Sequence, residues 1–211
     1  MSLFWKSSDA NNIGDRVWMT TEMKYNKLAA DAKSNMAAGK LVFVASYFEN
    51  SEAAVASILK NTSTEYIKVH DALSCDQAKI NILEVRTLQS EFFITRLRQT
   101  NYEIVVLFSE HYPLFGTENS IISSMRILGT KCSYCFYVAF DEPLLQKFGA
   151  EKILALLSKL GMEKDEMISH PLISKAIVNI QKKIESEITN EMRANSVEEW
   201  FDRNLRNISM K

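Results

Sequence analysis

The order of apolar segments predicts an α/β fold, a parallel sheet flanked by helices, continued at its C-terminal end by helices alone. Three observations carry this. LVFVAS (41–46), EIVVLF (103–108) and CFYVAF (135–140) are short β-branched and aromatic runs of strand length. Segments with helical spacing and capping residues lie between them, and strands alternating with helices close a parallel sheet through right-handed crossovers. From Asp141 onward the strand signal stops and only helical patterns follow.

Leu28, Ala32 and Met36 recur at four-residue spacing, so a helix is expected over 21–38, capped by Thr20 or Thr21 and ended by Gly39. The 41–46 strand follows, then a helix carrying Val55, Ile58 and Leu59 with Asn50 or Ser51 as its cap. EYIKV (65–69) reads as a second strand, and Ser74 with Gln77 as a capping box for a helix reaching about Leu88. EFFITRL (91–97) and EIVVLF read as two further strands, joined by a short turn in TRLRQTN (95–101). After the polar turn SEHYPLFGTENS a helix is expected from Glu118 to about Leu128, then the 135–140 strand. PLLQKF, EKILALLSKL, the segment after Pro171, and a last short helix opened by Ser196 and Glu199 complete the chain. The expected organisation is a tail over 1–14, a lobe over 15–148 and a helical extension over 149–211.

In the extension Ile173, Ile177, Ile180, Ile184 and Ile188 recur at three- or four-residue intervals and share one stripe of a helix. A helix over about 172–193 is roughly 30 Å long, comparable to a small domain. The stripe packs on the chain's own lobe or meets a partner protein or second copy, and it supplies the candidate partner-binding residues.

A formal charge of −1 gives no bulk electrostatic reason to bind nucleic acid, whose phosphates select clustered Lys and Arg. No apolar run reaches membrane-spanning length and the N-terminus lacks a signal-peptide pattern, so a cytoplasmic protein is expected. The 3 cysteines cannot all pair with one another. Cys132-Ser-Tyr-Cys135 has the spacing of half a zinc site or a redox pair, yet no second such pair exists; two thiols entering a buried strand are expected instead, with Cys75 apart. His70, Asp71 and Ser74 are sequence neighbours in a loop and read as turn chemistry rather than a catalytic group. No G-x-x-x-x-G-K-[ST] phosphate loop occurs. Neither cofactor nor metal is expected.

Several segments share one further resemblance. DRVWMTTEMKYNKL (15–28), KLVFVASYFENSEAAVASIL (40–59), VHDALSCDQAKI (69–80), FSEHYPLFGTENS (108–120), GAEKILALLSKLGMEKDEMISHP (149–171) and above all HPLISKAIVNIQKKIE (170–185) resemble SecA, the ATPase motor of bacterial preprotein translocation. The match falls on its second nucleotide-binding lobe and the start of its long scaffold helix, which implies a RecA-like fold of the P-loop NTPase type. Asp71 and Ala72 take the first two positions of the family's Asn-Ala-Lys motif, with Leu73 in place of Lys, and Glu110, Glu118 and Asn119 fall on its Glu, Asp and Asn.

The departures bear on activity. SecA-like motors carry an Arg-Gly-Arg-Ser-Gly-Arg run whose guanidiniums stabilise charge developing on the γ-phosphate. Ile122, Ser124 and Ile127 stand at those three arginine positions. Arg126 is one residue off, about 100° around a helix. The resemblance therefore implies a catalytically silent adaptor or regulator in protein translocation, contacting SecA, a translocon component, a preprotein or another copy of itself, with any membrane contact made through a translocon. Two other readings are half of an ATPase completed by a lobe on another chain, and a helicase-like nucleic-acid module.

Overall fold

A computed structural model describes residues 11–146 and 166–205. These form a seven-stranded sheet with helices on both faces, consistent with the RecA-like class. In chain order the strands are β1 (Asn11–Asn12), β2 (Arg16–Trp18), β3 (Leu41–Ser46), β4 (Tyr66–Lys68), β5 (Ile80–Glu84), β6 (Ile104–Phe108) and β7 (Cys132–Ala139). The helices are α1 (Thr21–Ala37), α2 (Glu49–Asn61), α3 (Glu91–Gln99), α4 (Phe115–Met125), α5 (Pro143–Gln146), α6 (Pro171–Glu187) and α7 (Val197–Asn204), with 3-10 turns at Val85–Gln89 and Arg126–Lys131. The strand order is β1-β7-β6-β3-β5-β4, every pair is parallel, and β2 joins β7 beyond the point where β1 leaves it.

The period-2 alternation of strand side chains divides the core in two. Val42, Val44, Ile82, Val105 and Leu107 face α1 and α2, against Leu28, Ala32, Val55 and Leu59. Phe43, Leu83, Val106, Phe108 and Phe136 face the other way, against Phe93 and Leu97 of α3, Ile121 and Met125 of α4, and Ile177, Ile184, Trp200 and Phe201 of the extension. Cys132 and Cys135 are three residues apart on β7 and so fall on opposite faces, both fully buried. Burial pushes each thiol up to about 12, and both are free thiols. No group of His, Cys, Asp and Glu among the described residues could hold a metal ion.

Several expectations are corrected. EFFITRL is helix α3: Phe93, Ile94 and Leu97 are its buried face, the Ser90 hydroxyl accepts from the Phe93 N–H, and TRLRQTN is mostly helix rather than turn. The four apolar residues of this nine-residue element begin with the run Phe92-Phe93-Ile94, which reads as strand when taken alone; the Ser90 cap and the i, i+1, i+4 spacing of the buried three make it helix. The helix expected over 74–88 is absent. Residues 69–79 turn, and INILE forms β5 between β3 and the edge strand β4, where the buried Asn81 amide donates to the carbonyls of Val42 and Asp76. Helix α2 begins at Glu49 with no side-chain cap, and α4 begins at Phe115, earlier than Glu118. The sheet starts before Asp15, since Asn11–Asn12 pair with Ser133 and Tyr134. Helix α6 ends at Glu187 rather than near 193. The EKILALLSKL helix lies outside the described residues.

The extension closes the lobe at its β2 edge. Val17 and Ile168 exchange both backbone hydrogen bonds at 2.9 Å, an antiparallel bridge on an otherwise parallel sheet. From there α6 runs across the face that carries α4.

Candidate functional site

In doubly wound sheets ligands collect beyond the C-terminal ends of the strands, where consecutive connections leave in opposite directions. Here that place lies between β3 and β6: the chain leaves β3 towards β5 and β4, and leaves β6 towards β7. Ser46, the run Ser109-Glu110-His111-Tyr112 and Glu142 meet there, brought by the ends of β3, β6 and β7.

Two buried charge clusters flank the crevice. On the α1 side Lys24, with no exposed surface, pairs with Glu142 and donates to the Ser109 carbonyl at 2.7 Å, while Glu142 also accepts from the Ala139 N–H. Burial favours a neutral lysine, but Glu142 outweighs it and holds the ammonium well above its ordinary value. Glu110 beside it accepts from the Tyr47 and Phe48 N–H groups and from the Ser109 hydroxyl; burial pushes its carboxyl up.

On the α6 side His111 stacks on Phe136 with ring centroids 4.1 Å apart. Its Nδ1 donates to the Glu118 carboxylate at 2.9 Å, and its Nε2 lies 3.4 Å from Asp15, longer than an aligned hydrogen bond. All three residues are at least 94% buried. Burial alone would lower the imidazole, yet Glu118 and Asp15 raise it to about 10. Asp15 is likewise held below its ordinary value: burial raises it, and the histidine and a hydrogen bond with Ser174 of α6 outweigh that. A cavity of about 110 Å³ opens beside this cluster between α4 and α6, lined by Asp15, His111, Glu118, Asn119, Ile122 and Ser174 among others.

Between the clusters sits an aromatic group. Tyr112 lies 5.0 Å from Tyr47, 5.7 Å from Phe48 and 6.2 Å from Trp200, ring to ring. Its hydroxyl donates to Glu191, which also accepts the Trp200 Nε1–H at 2.6 Å. Its carbonyl accepts from Gln181 of α6 at 2.7 Å.

The structure turns the isoleucine stripe inward. Ile177 and Ile184 have no exposed surface, and Ile173, Ile180 and Ile188 pack partly buried on the same core, so the stripe lies on its own lobe and offers a partner only the edges of three side chains. At the three arginine positions, Ile122 lines the cavity, Ser124 donates to the Ser120 carbonyl at 3.1 Å, and Ile127 is 50% exposed. The His70–Ser74 loop is turn chemistry: Asp71 accepts from the N–H groups of Leu73 and Ser74. Sequence reasoning missed the roles of Lys24, Glu142, His111 and Glu191. Each is a charged or polar residue in a helix or loop with a partner far off in sequence: Lys24 and Glu142 are 118 positions apart, Glu191 and Tyr112 are 79 apart, and His111 meets Asp15 as well as the nearer Glu118.

No family model matches the chain. It is similar to the protein translocase subunit SecA of Maridesulfovibrio salexigens, with 25% identity over 89% of this chain and 28% of that protein. The SecA of Solidesulfovibrio magneticus is 26% identical over 82% of this chain and 22% of its own length. A shorter match to the SecA of Acidithiobacillus ferrooxidans reaches 45% identity over 51 residues. Among solved structures, the C-terminal part of the Fun30 ATPase domain aligns with a TM-score of 0.42 and 12% identity, over 76% of this chain and 54% of that one. No helix among the described residues is long and apolar enough to cross a membrane. In sequence the chain is similar to a part of SecA, matching most of its own length and about a quarter of the translocase subunits it resembles.

Proposed function

We propose that this chain is a non-catalytic SecA-like domain that acts in protein translocation through contacts with another protein. The observation that carries the reading is what fills the switch-point crevice. A nucleotide there needs cationic or N–H donors facing open space. Instead the buried Lys24 and His111 that flank the crevice are neutralised by Glu142, Glu118 and Asp15, and the cavity beside His111 is walled by two of those carboxylates. A triphosphate entering it would meet like charge at low dielectric. The substitutions Ile122, Ser124 and Ile127 at the positions of family arginines point the same way.

Calorimetric titration of the purified protein with ATP and magnesium tests the proposal. No saturable heat at micromolar ATP is the expected result. Micromolar binding, or turnover that survives repurification, contradicts it. Repeating the titration with a SecA-type partner present addresses an ATP site completed by another chain, which predicts nucleotide affinity only in the mixture.

A further inference from the structure

The cavity between α4 and α6 has a charged floor and a neutral rim. Asp15, His111 and Glu118 close its base, each at most 6% exposed. Exposed Asn119 and half-buried Ile122 and Val178 stand around the opening. The floor is not electrically closed. Glu118 and Asp15 set two carboxylates against one imidazolium, which leaves one negative charge in excess. Its hydrogen bonding is incomplete as well: His111 Nε2 is buried without a hydrogen-bond partner, 3.4 Å from the Asp15 carboxylate, which lines the same space. An uncompensated charge away from bulk water is costly, and a cation donating to it removes that cost.

We propose that this cavity is a receptor for one arginine side chain of a partner protein, its guanidinium donating to Asp15 at the floor and its stem lying along Ile122 and Val178. The carboxylates that turn a triphosphate away select a cation by the same field. The size agrees: about 110 Å³ is the space of about four water molecules, and a guanidinium carries as many heavy atoms. Arginine suits the walls better than lysine, because its planar head is weakly hydrated, pairs with a carboxylate through two donors and lies flat on an aromatic ring. The Phe115 ring in this wall already attracts a cation of the chain itself, the exposed Lys182, whose ammonium is 4.5 Å from the ring centroid. An apolar rim above a charged floor also matches a side chain that buries its stem and carries its charge at the tip. The inference rests on the protein-contact reading above and names its site.

The test is a titration of the intact protein with a blocked Gly-Arg-Gly tripeptide and with the same peptide carrying lysine or citrulline, the uncharged isostere of arginine. The reporters are the imidazole resonances of the 3 histidines in NMR spectra, since His111 lines the cavity and His70 and His170 do not. A saturable His111 shift with a millimolar Kd is expected for the arginine peptide, as fits a single side chain, with His70 and His170 unmoved. The lysine peptide should bind about tenfold more weakly, and the citrulline peptide should give no shift. Asp15→Asn should weaken the arginine peptide by about tenfold or more. Because that change also disturbs the buried cluster, Ile122→Phe gives a second reading: it fills the opening, leaves every charge of the floor in place, and should abolish the shift in a protein with the parent's far-UV spectrum. No His111 shift with any peptide means that the cavity holds solvent alone and overturns the proposal. Equal shifts from arginine and citrulline, or from arginine and lysine, overturn the arginine assignment, and binding undiminished in both variants places the peptide elsewhere and overturns the site. No nucleotide is present in these titrations, so failure here is distinguishable from failure of the non-catalytic reading, which the ATP titration decides.

Discussion

Replacing Ile184 by alanine tests whether the extension is part of the lobe's core or an appendage that a partner could take. Ile184 has no exposed surface and packs in the cluster shared with α4 and the β6–β7 face. Burying an isoleucine contributes about 1.5–3 kcal/mol by transfer, and the cavity left when neighbours relax incompletely raises the loss to about 2–5 kcal/mol. The site is flanked by two helices and a sheet, so little collapse is open to it, and the upper half of that range is expected. Ile188, at the exposed end of α6 and only partly buried, should lose less than about 1.5 kcal/mol on the same change. Urea denaturation followed by far-UV circular dichroism measures both, with the m-value held as a check that cooperativity is intact. A single transition shifted strongly by Ile184→Ala and weakly by Ile188→Ala is the expected pair. If Ile184→Ala shifts stability by less than about 1 kcal/mol, or the two variants lose equally, α6 is not docked as described and the stripe is free for a partner.

Two further changes address the charges around the crevice. Lys24→Met leaves Glu142 buried without its cation and the Ser109 carbonyl without a donor, and should cost about 3–5 kcal/mol in the same denaturation assay; the double variant Lys24→Met/Glu142→Gln should recover part of that loss, and a single variant as stable as the parent would refute a structural pair. His111 is raised in the folded state to about 10 from an unfolded value near 6.5, so its contribution is fully present below about pH 6.5 and is lost as pH rises through the folded value. Stability should fall between about pH 6.5 and 9 with a slope up to about 1.4 kcal/mol per pH unit, and His111→Gln should flatten the profile in that window, before the cysteines titrate.

The sheet was legible wherever a strand is buried on both faces and reads as a continuous apolar run, as β3, β6 and β7 do. Helices were legible where a capping residue marks the start, as Thr20 does for the 17-residue α1 and Ser196 for the short α7. The errors fall on short elements. INILE and EFFITRL each hold a few apolar residues with no length to separate a period of 2 from one of 3.6, and what decides them is the Asn81 bond network across β3 and the Ser90 cap. The candidate site was less legible still, because its charge pairs join residues scattered from Asp15 to Glu191, and nothing local in the sequence marks which polar residue will be buried.

The buried charges also explain how the extension keeps one position. If α6 slid by four residues, about one turn, Ile177, Ile184 and Ile188 would take the places of Ile173, Ile180 and Ile184, and Gln181 would fall in the fully buried place of Ile177. Apolar burial therefore resists the slide at one position of the stripe. The polar contacts add to the selection, since each joins one side chain to one fixed partner. Ser174 meets Asp15, Gln181 Nε2 donates to the Tyr112 carbonyl, and Glu185 accepts the Gly116 N–H at 3.0 Å. Sliding by a turn would leave the Tyr112 carbonyl and the Asp15 carboxylate without those donors in a dry interior, a loss of about 1–3 kcal/mol for each. Buried polar groups add little net stability over apolar ones of similar shape, and fixing register is their best-attested use. In this chain they tie α6 to Asp15 and to the segment after β6, so the lobe and its extension present one surface to whatever they meet.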